Sequence, residues 1–258
     1  VMPVAERQPD DRRPAAAGVG GAARLHVVTP VKDSIDLTLQ TAAAVLVSRT
    51  AEPFLYTIYN DFSTPENTAL LERKSREMGF RLVNLADLTD TPSPNYLVTL
   101  RTAQREAVEA GASLLIVESD VVVDPDTVRR LVEGAAERPR CALAAAVTVD
   151  ERGEVNYPYL RMKGRRGVVE ESKHLSFCCT LLTHAFLSAV DFAALDPAKQ
   201  WFDVSISHMA LRADFSNYVF CDVRVLHRPH GSRPWKMLKY SSRLKYYWQK
   251  FLKGRDKI

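Results

Sequence analysis

The 258-residue sequence predicts an α/β fold, an open and mostly parallel sheet flanked by helices (Rossmann-like), with a small antiparallel addition and a C-terminal amphipathic helix. Three observations predict it. From Leu25 to Val149, short β-rich runs alternate with helical patterns at the spacing of strand–helix–strand units. After Asp150 that rhythm gives way to hairpin and loop character before further strands. Near the end, Met237, Tyr240, Leu244, Tyr247 and Phe251 recur at spacings of 3, 4, 3 and 4, an apolar stripe on one helix face.

Taken in order, "LHVVTPV" (25–31) is a strand, and 33–48 a helix with Asp33 or Ser34 as N-cap. "PFLYTIYN" (53–60) is the second strand, and a helix opens near Ser63-Thr64-Pro65-Glu66, with proline where a first turn accepts it. "FRLVNL" (80–85) is the third strand, and a long helix over about 95–110 ends at Gly111. "SLLIV" (113–117) reads as a buried strand, 125–137 as a helix started by Pro125, and "CALAAAVTV" (141–149) as a strand. Beyond it lie a loop-rich segment (151–173), a strand (174–182), a helix (201–213) and a strand pair or bent strand (218–227).

Bulk properties narrow the classes. No run of about 18 apolar residues exists, so no segment is expected to span a bilayer. Residues 1–24 lack the apolar core of a secretory signal and, rich in Pro, Ala, Gly and charge, read as a disordered lead-in. The four cysteines, Cys141, Cys178, Cys179 and Cys221, form no C-x-x-C pair and read as buried free thiols in a cytoplasmic protein. The net charge of +4 hides an asymmetry: from Arg224 onward eleven Lys and Arg face Asp256 alone, a balance of +10 that leaves the first 223 residues at −6. Residues 231–258 are therefore a basic amphipathic tail, either docked on the core or lying at an anionic membrane surface; no nucleic-acid motif is present.

The chemistry concentrates at strand ends, where open α/β sheets bind ligands. The fourth strand runs into Glu118-Ser119-Asp120. Two carboxylates two residues apart in an extended segment point the same way and repel unless a cation joins them. A hard divalent ion so bound completes its shell with phosphate oxygens. Asp124 and Asp126, around Pro125, instead favour the next helix start. The first strand brings Thr29, Pro30 and Val31 to the same edge, and the second brings Asn60 and Asp61. An Asp there can accept a base N–H or ribose hydroxyl, or merely cap a helix. Asp203, behind Trp201 and Phe202, is a candidate general base if desolvation raises its pKa, or else a helix cap.

In order and spacing, "VVTPVKDS" (27–34), "YNDFSTPEN" (59–67), "IVESDVVVDPDTVRRL" (116–131) and "WFDVSISHMALRADFSNYVFCDVRVLH" (201–227) resemble the family 2 glycosyltransferases, which have the GT-A fold of nucleotide-diphosphosugar transferases. The resemblance implies one domain over 25–230, with a nucleotide-binding half (25–125) and an acceptor half (141–230). It assigns Thr29, Pro30, Val31, Asn60 and Asp61 to the nucleoside, with Arg101, Glu118 and Ser119 also on the nucleotide. Glu118 and Asp120 stand for the D-x-D pair on Mn²⁺ or Mg²⁺, and His227 is a third ligand or a structural histidine. Asp203 becomes the base of an inverting transfer from a UDP- or GDP-linked sugar to a glycan or lipid-linked acceptor, in a cytoplasmic enzyme with peripheral membrane contact through its tail. Segment 151–173 with Arg165, and His230, Arg233 and Trp235 beyond it, would close on the diphosphate or acceptor. Departures from the family pattern are Glu at the first D-x-D position, Phe62 for the Gly of Asp-Asp-Gly-Ser, and Phe202 for the Glu before the base. The alternatives are a non-catalytic carbohydrate- or membrane-binding module, or a sugar-phosphate nucleotidyltransferase, although "TPVKDS" lacks a glycine-rich phosphate loop.

Overall fold

A computed structural model describes residues 24–199, 201–228 and 242–252. The first half delivers the expected alternation: β1 (Leu25–Val31), α1 (Ile35–Leu46), β2 (Phe54–Asn60), α2 (Pro65–Met78), β3 (Arg81–Asn84), α3 (Tyr96–Glu109) and β4 (Ser113–Val117). Then come β5 (Val121–Val122), α4 (Thr127–Ala136), β6 (Cys141–Val149), β7 (Val168–Glu170), β8 (Cys179–Leu182), α5 (His184–Ala189), α6 (Phe202–Arg212) and β9 (Ser216–His227). A final helix, α7, spans Arg243–Leu252.

The sheet order is β3-β2-β1-β4-β8-β6-β9-β5, with β7 against β9. Strands β3, β2, β1 and β4 are parallel, and β8 runs antiparallel between β4 and β6. The antiparallel addition is thus set inside the sheet. It is shorter than the sequence predicts, since the 174–178 stretch is not strand. The Tyr159 hydroxyl there takes both the N–H and the carbonyl of Ser176 at 3.1 Å, so those groups are lost to a ladder. In β9, three residues intervene between the positions paired with Ala146 and Val147, making it one bent strand rather than two.

Alternation along β4 sends Leu114 and Ile116 to one core, with α3, α5 and α6, and Leu115 and Val117 to the other, with α1, α2 and α4. Both faces are covered, so the strand is apolar throughout until it leaves the sheet. Because β1 lies between β2 and β4, the chain reverses direction of strand addition there, and the crevice beyond β1 and β4 is the ligand position of such sheets. Helix starts follow the sequence cues at α2, where Thr64 accepts the Asn67 N–H and Pro65 occupies the first turn. At α1 the N-cap position is Ser34, without a side-chain bond, because Asp33 is used elsewhere.

Gly134 in α4 faces the Phe220 ring of β9 so closely that an added Cβ would overlap ring carbon Cε1. Alanine normally favours a helix interior over glycine by about 1 kcal/mol. Here overpacking, typically ~1–3 kcal/mol, outweighs that gain. Urea unfolding of Gly134→Ala should therefore show a lower midpoint than the parent; a higher midpoint would mean that the helix and β9 separate at no cost.

Candidate active site

The two loops leaving β1 and β2 are laced together. Asp33 lies in the left-handed region (φ 56°), which Asp tolerates better than most residues. Its carboxylate accepts the Thr64 N–H at 2.7 Å and the Asn67 side-chain amide at 3.0 Å, while its own N–H donates to Ser63 Oγ at 2.9 Å. Slight burial would raise its pKa, but the Asn67 and Thr64 donors and Lys32 hold it below the ordinary carboxylate value. Phe62, at the glycine position of the resembled motif, keeps a left-handed backbone (φ 56°), with Lys32 Nζ donating to its carbonyl at 2.9 Å. Such a conformation costs a side-chain-bearing residue roughly 1–2 kcal/mol.

Several residues assigned to the nucleoside also brace the loops around them. The Thr29 side chain is fully buried and accepts the Tyr56 hydroxyl at 3.0 Å; Val31 is buried with it, leaving Pro30 partly open. Asn60 is buried, donating to Thr68 Oγ1 and Asn84 Oδ1, both at 2.9 Å, and accepting from the Ser63 N–H. The Asp61 carboxylate accepts Ser93 Oγ at 2.7 Å, the Asn95 N–H at 2.9 Å and the Asn95 amide at 3.0 Å, anchoring the start of α3. The Arg101 guanidinium donates to the carbonyls of Phe192, Ala193 and Leu195 and clasps α3 to that turn. Arg165 is exposed, and its charge acts on Cys221 of β9. Within its segment, Tyr159 and Met162 are buried in the core and Arg161 pairs with Glu171 at 2.9 Å. His230, Arg233 and Trp235 lie outside the described residues.

The acids after β4 meet a different environment. Strand β5 pairs antiparallel with the end of β9, Val121 opposite His227 and Val122 opposite Leu226, and the Arg228 N–H donates to the Asp120 carbonyl at 2.9 Å. That pairing sets His227 Nε2 3.6 Å from Asp120 Oδ2, with both side chains buried. His227 Nδ1 lies 3.0 Å from the Tyr157 carbonyl, which only accepts, so Nδ1 carries a proton. In the neutral ring, the Nε2 lone pair then faces a carboxylate oxygen, an arrangement that asks for a cation between them. Burial alone would lower the His227 pKa, but Asp120, Glu118 and the Tyr157 carbonyl together raise it. For Glu118, burial and then Asp120 push the pKa up, against the opposing pull of His227. Ser119, between the acids, is buried.

Two residues near these acids were not singled out as ligand contacts by the sequence. Cys178, just before β8, lies beside Glu118, whose charge adds to burial in holding the thiol well above its ordinary pKa, and one ligating atom each of Glu118, Cys178 and His227 lie within 4.8 Å of one another. The Tyr96 hydroxyl is buried without a hydrogen-bond partner among the described residues, and burial, then the Glu118 and Asp203 carboxylates, push its pKa well up. Nothing marks Tyr96 in sequence beyond its place at a helix start. All four cysteines are free and buried, as expected, and only the fold reveals that one borders the acids. Asp203 lies in the first turn of α6, whose N-cap is Trp201, and accepts the Val204 N–H at 2.9 Å. Its charge acts on Glu118 across the crevice. The donor set of two carboxylates and an imidazole with a fixed tautomer fits a divalent cation.

No protein-family model matches the sequence, and no curated protein matches it. Solved structures do. A mannosyltransferase, PcManGT from Pyrobaculum calidifontis, in complex with GDP-Man and Mn²⁺, matches 91% of this chain and 66% of its own at 14% identity and a TM-score of 0.62. S. aureus TarS (residues 1–349) with UDP-GlcNAc matches 81% and 60% at 16% identity and 0.57, and with UDP 84% and 63% at 15% and 0.58. The chain thus spans less than two thirds of the length of these structures, and the likeness is one of fold: the sheet is that of the GT-A glycosyltransferases.

Proposed function

We propose that the protein transfers a sugar from a nucleoside-diphosphate sugar, UDP- or GDP-linked, to a hydroxyl of a glycan or lipid-linked acceptor, with inversion at the anomeric carbon. The observation that carries this reading is the Glu118–Asp120–His227 cluster at the exit of β4, with the Asp203 carboxylate acting on Glu118 across the crevice. Asp120, Glu118 and His227 hold a divalent cation, Mn²⁺ in preference to Mg²⁺ because imidazole is a better ligand for the former. When bound, that ion neutralises charge on the diphosphate leaving group. Asp203, in the first turn of α6, accepts the proton of the acceptor hydroxyl as its oxygen attacks. Tyr96, its hydroxyl near both acids, orients a sugar or acceptor oxygen. The chain divides, in this reading, into a nucleotide-binding half over 25–125, an acceptor half over 141–230 and a basic tail over 231–258.

Asp203→Asn keeps size and removes the base. In a nucleotide-sugar transfer assay its turnover should fall by about 10²–10⁴-fold while donor binding, read by calorimetry, persists. An unchanged turnover would remove Asp203 from the reaction.

The tail supports peripheral contact with an anionic membrane face. No helix among the described residues is long and apolar enough to cross a bilayer. Helix α7 buries Tyr246 yet exposes Leu244, Tyr247, Trp248, Phe251 and Leu252, so the described part of the expected apolar stripe is not packed on the core, while Met237 and Tyr240 lie outside the described residues. Lys245 shares that exposed surface. Vesicles containing anionic phospholipid should carry the protein upward in flotation, less so at high salt or with Phe251→Glu. Equal flotation with zwitterionic vesicles, or none with either, would end the membrane reading.

A further inference from the structure

We propose that Cys178 is itself a ligand of the cation site, which makes the site a mixed sulfur, nitrogen and oxygen centre that selects thiophilic divalent ions over Mg²⁺. This rests on the reading above that the cluster binds a cation, and it names the ion class.

The backbone puts the thiol there. Strand β8 pairs antiparallel with β4, Cys179 opposite Val117, so the next pair along is Cys178 and Glu118. The Glu118 N–H donates to the Cys178 carbonyl at 2.9 Å, continuing the ladder past both strand ends. Directly opposed residues of an antiparallel pair share a face. The thiol and the carboxylate therefore meet. His227 arrives from the other side on β9, and the ligating atoms of all three lie within 4.8 Å of one another. That spread is about twice a metal–ligand bond of roughly 2.0–2.3 Å, the length zinc makes to nitrogen, oxygen and sulfur. Ser176 Oγ, 3.4 Å from the sulfur, steadies the thiol from behind.

Packing alone does not account for this cysteine. Cys179, its neighbour in the chain, is fully buried with burial the sole influence on its thiol, whereas Cys178 is set against a carboxylate. Burial, then the Glu118 charge, holds the Cys178 pKa well above its ordinary value in the cation-free protein. On metal uptake the S–H bond breaks, a sulfur lone pair bonds the ion, and the proton leaves to buffer; no redox change occurs. The Tyr96 hydroxyl, buried and without a partner among the described residues, lies close enough to Glu118 and Cys178 for their charges to act on it, leaving a polar group for a molecule bound at the ion. Thiolate and imidazole donors favour Zn²⁺, Co²⁺ and Cd²⁺, then Mn²⁺, and disfavour Mg²⁺.

The probe is Co²⁺ alone, titrated into the full chain, with uptake read by calorimetry and thiolate-to-cobalt charge transfer read by near-ultraviolet absorption. The wild type should bind Co²⁺ with the charge-transfer band. Cys178→Ser should bind it without the band and at least about tenfold more weakly, while Cys179→Ser keeps both. Uptake by the wild type without a band, or a band that survives in Cys178→Ser, would remove Cys178 from the site and leave the oxygen–nitrogen cation site standing. No uptake by the wild type would overturn both readings. Because the band is read first on the wild type, a folding defect in a variant cannot decide the matter.

Discussion

Two residue pairs of an antiparallel ladder hold the site together. Val121 opposite His227 and Val122 opposite Leu226 bring the end of β9 back to the exit of β4. Without that pairing, His227 and the β4 acids belong to distant parts of the chain. Side chains alternate across a strand, so a slip of one residue in β9 would turn His227 to the opposite face and away from Asp120. The bulge in β9, three extra residues opposite β6, shifts its register on β6, and the residues beyond it pair with β6 on one side and β5 on the other.

Electrostatics explains why such a cluster survives burial. Glu118, Asp120, Cys178 and His227 bring carboxylates, a thiol and an imidazole into a space with little water, and buried charge is tolerated only when paired. Burial, then the Asp120 charge, raises the Glu118 pKa; burial, then Glu118, raises that of Cys178; and Asp120 lifts that of His227 against burial. Around this core, polar groups elsewhere are satisfied by braces. Asp33, Asn60 and Asp61 join the loops after β1 and β2 to the starts of α2 and α3, fixing the crevice wall that a nucleoside would face. Such bracing positions a site without touching its ligand.

The fold was legible in sequence because strands buried on both faces and amphipathic helices leave strong periodic signals, and β1 to β4 and α1 to α3 fall close to their expected places. The acids after β4 stand out in the sequence for a related reason, since they follow directly on an apolar strand. The bracing by Asn60, Asp61 and Arg101 was not legible, because an acid, amide or guanidinium at a strand or helix end has the same sequence signature whether or not it also braces a loop. Cys178 was invisible for a different reason. Its meaning comes from the register of β8 on β4, and register is a tertiary property.

The central claim is that the cluster at the end of β4 binds a nucleoside diphosphate through a divalent cation. Thermal unfolding with UDP or GDP, with and without Mn²⁺, tests it most directly. Ligand at about 100 times its Kd adds ~2.7 kcal/mol to stability. The account predicts a rise in Tm with one of these nucleotides only when Mn²⁺ is present, and its loss in Asp120→Asn. A rise that is indifferent to the metal, or that persists in Asp120→Asn, would contradict it.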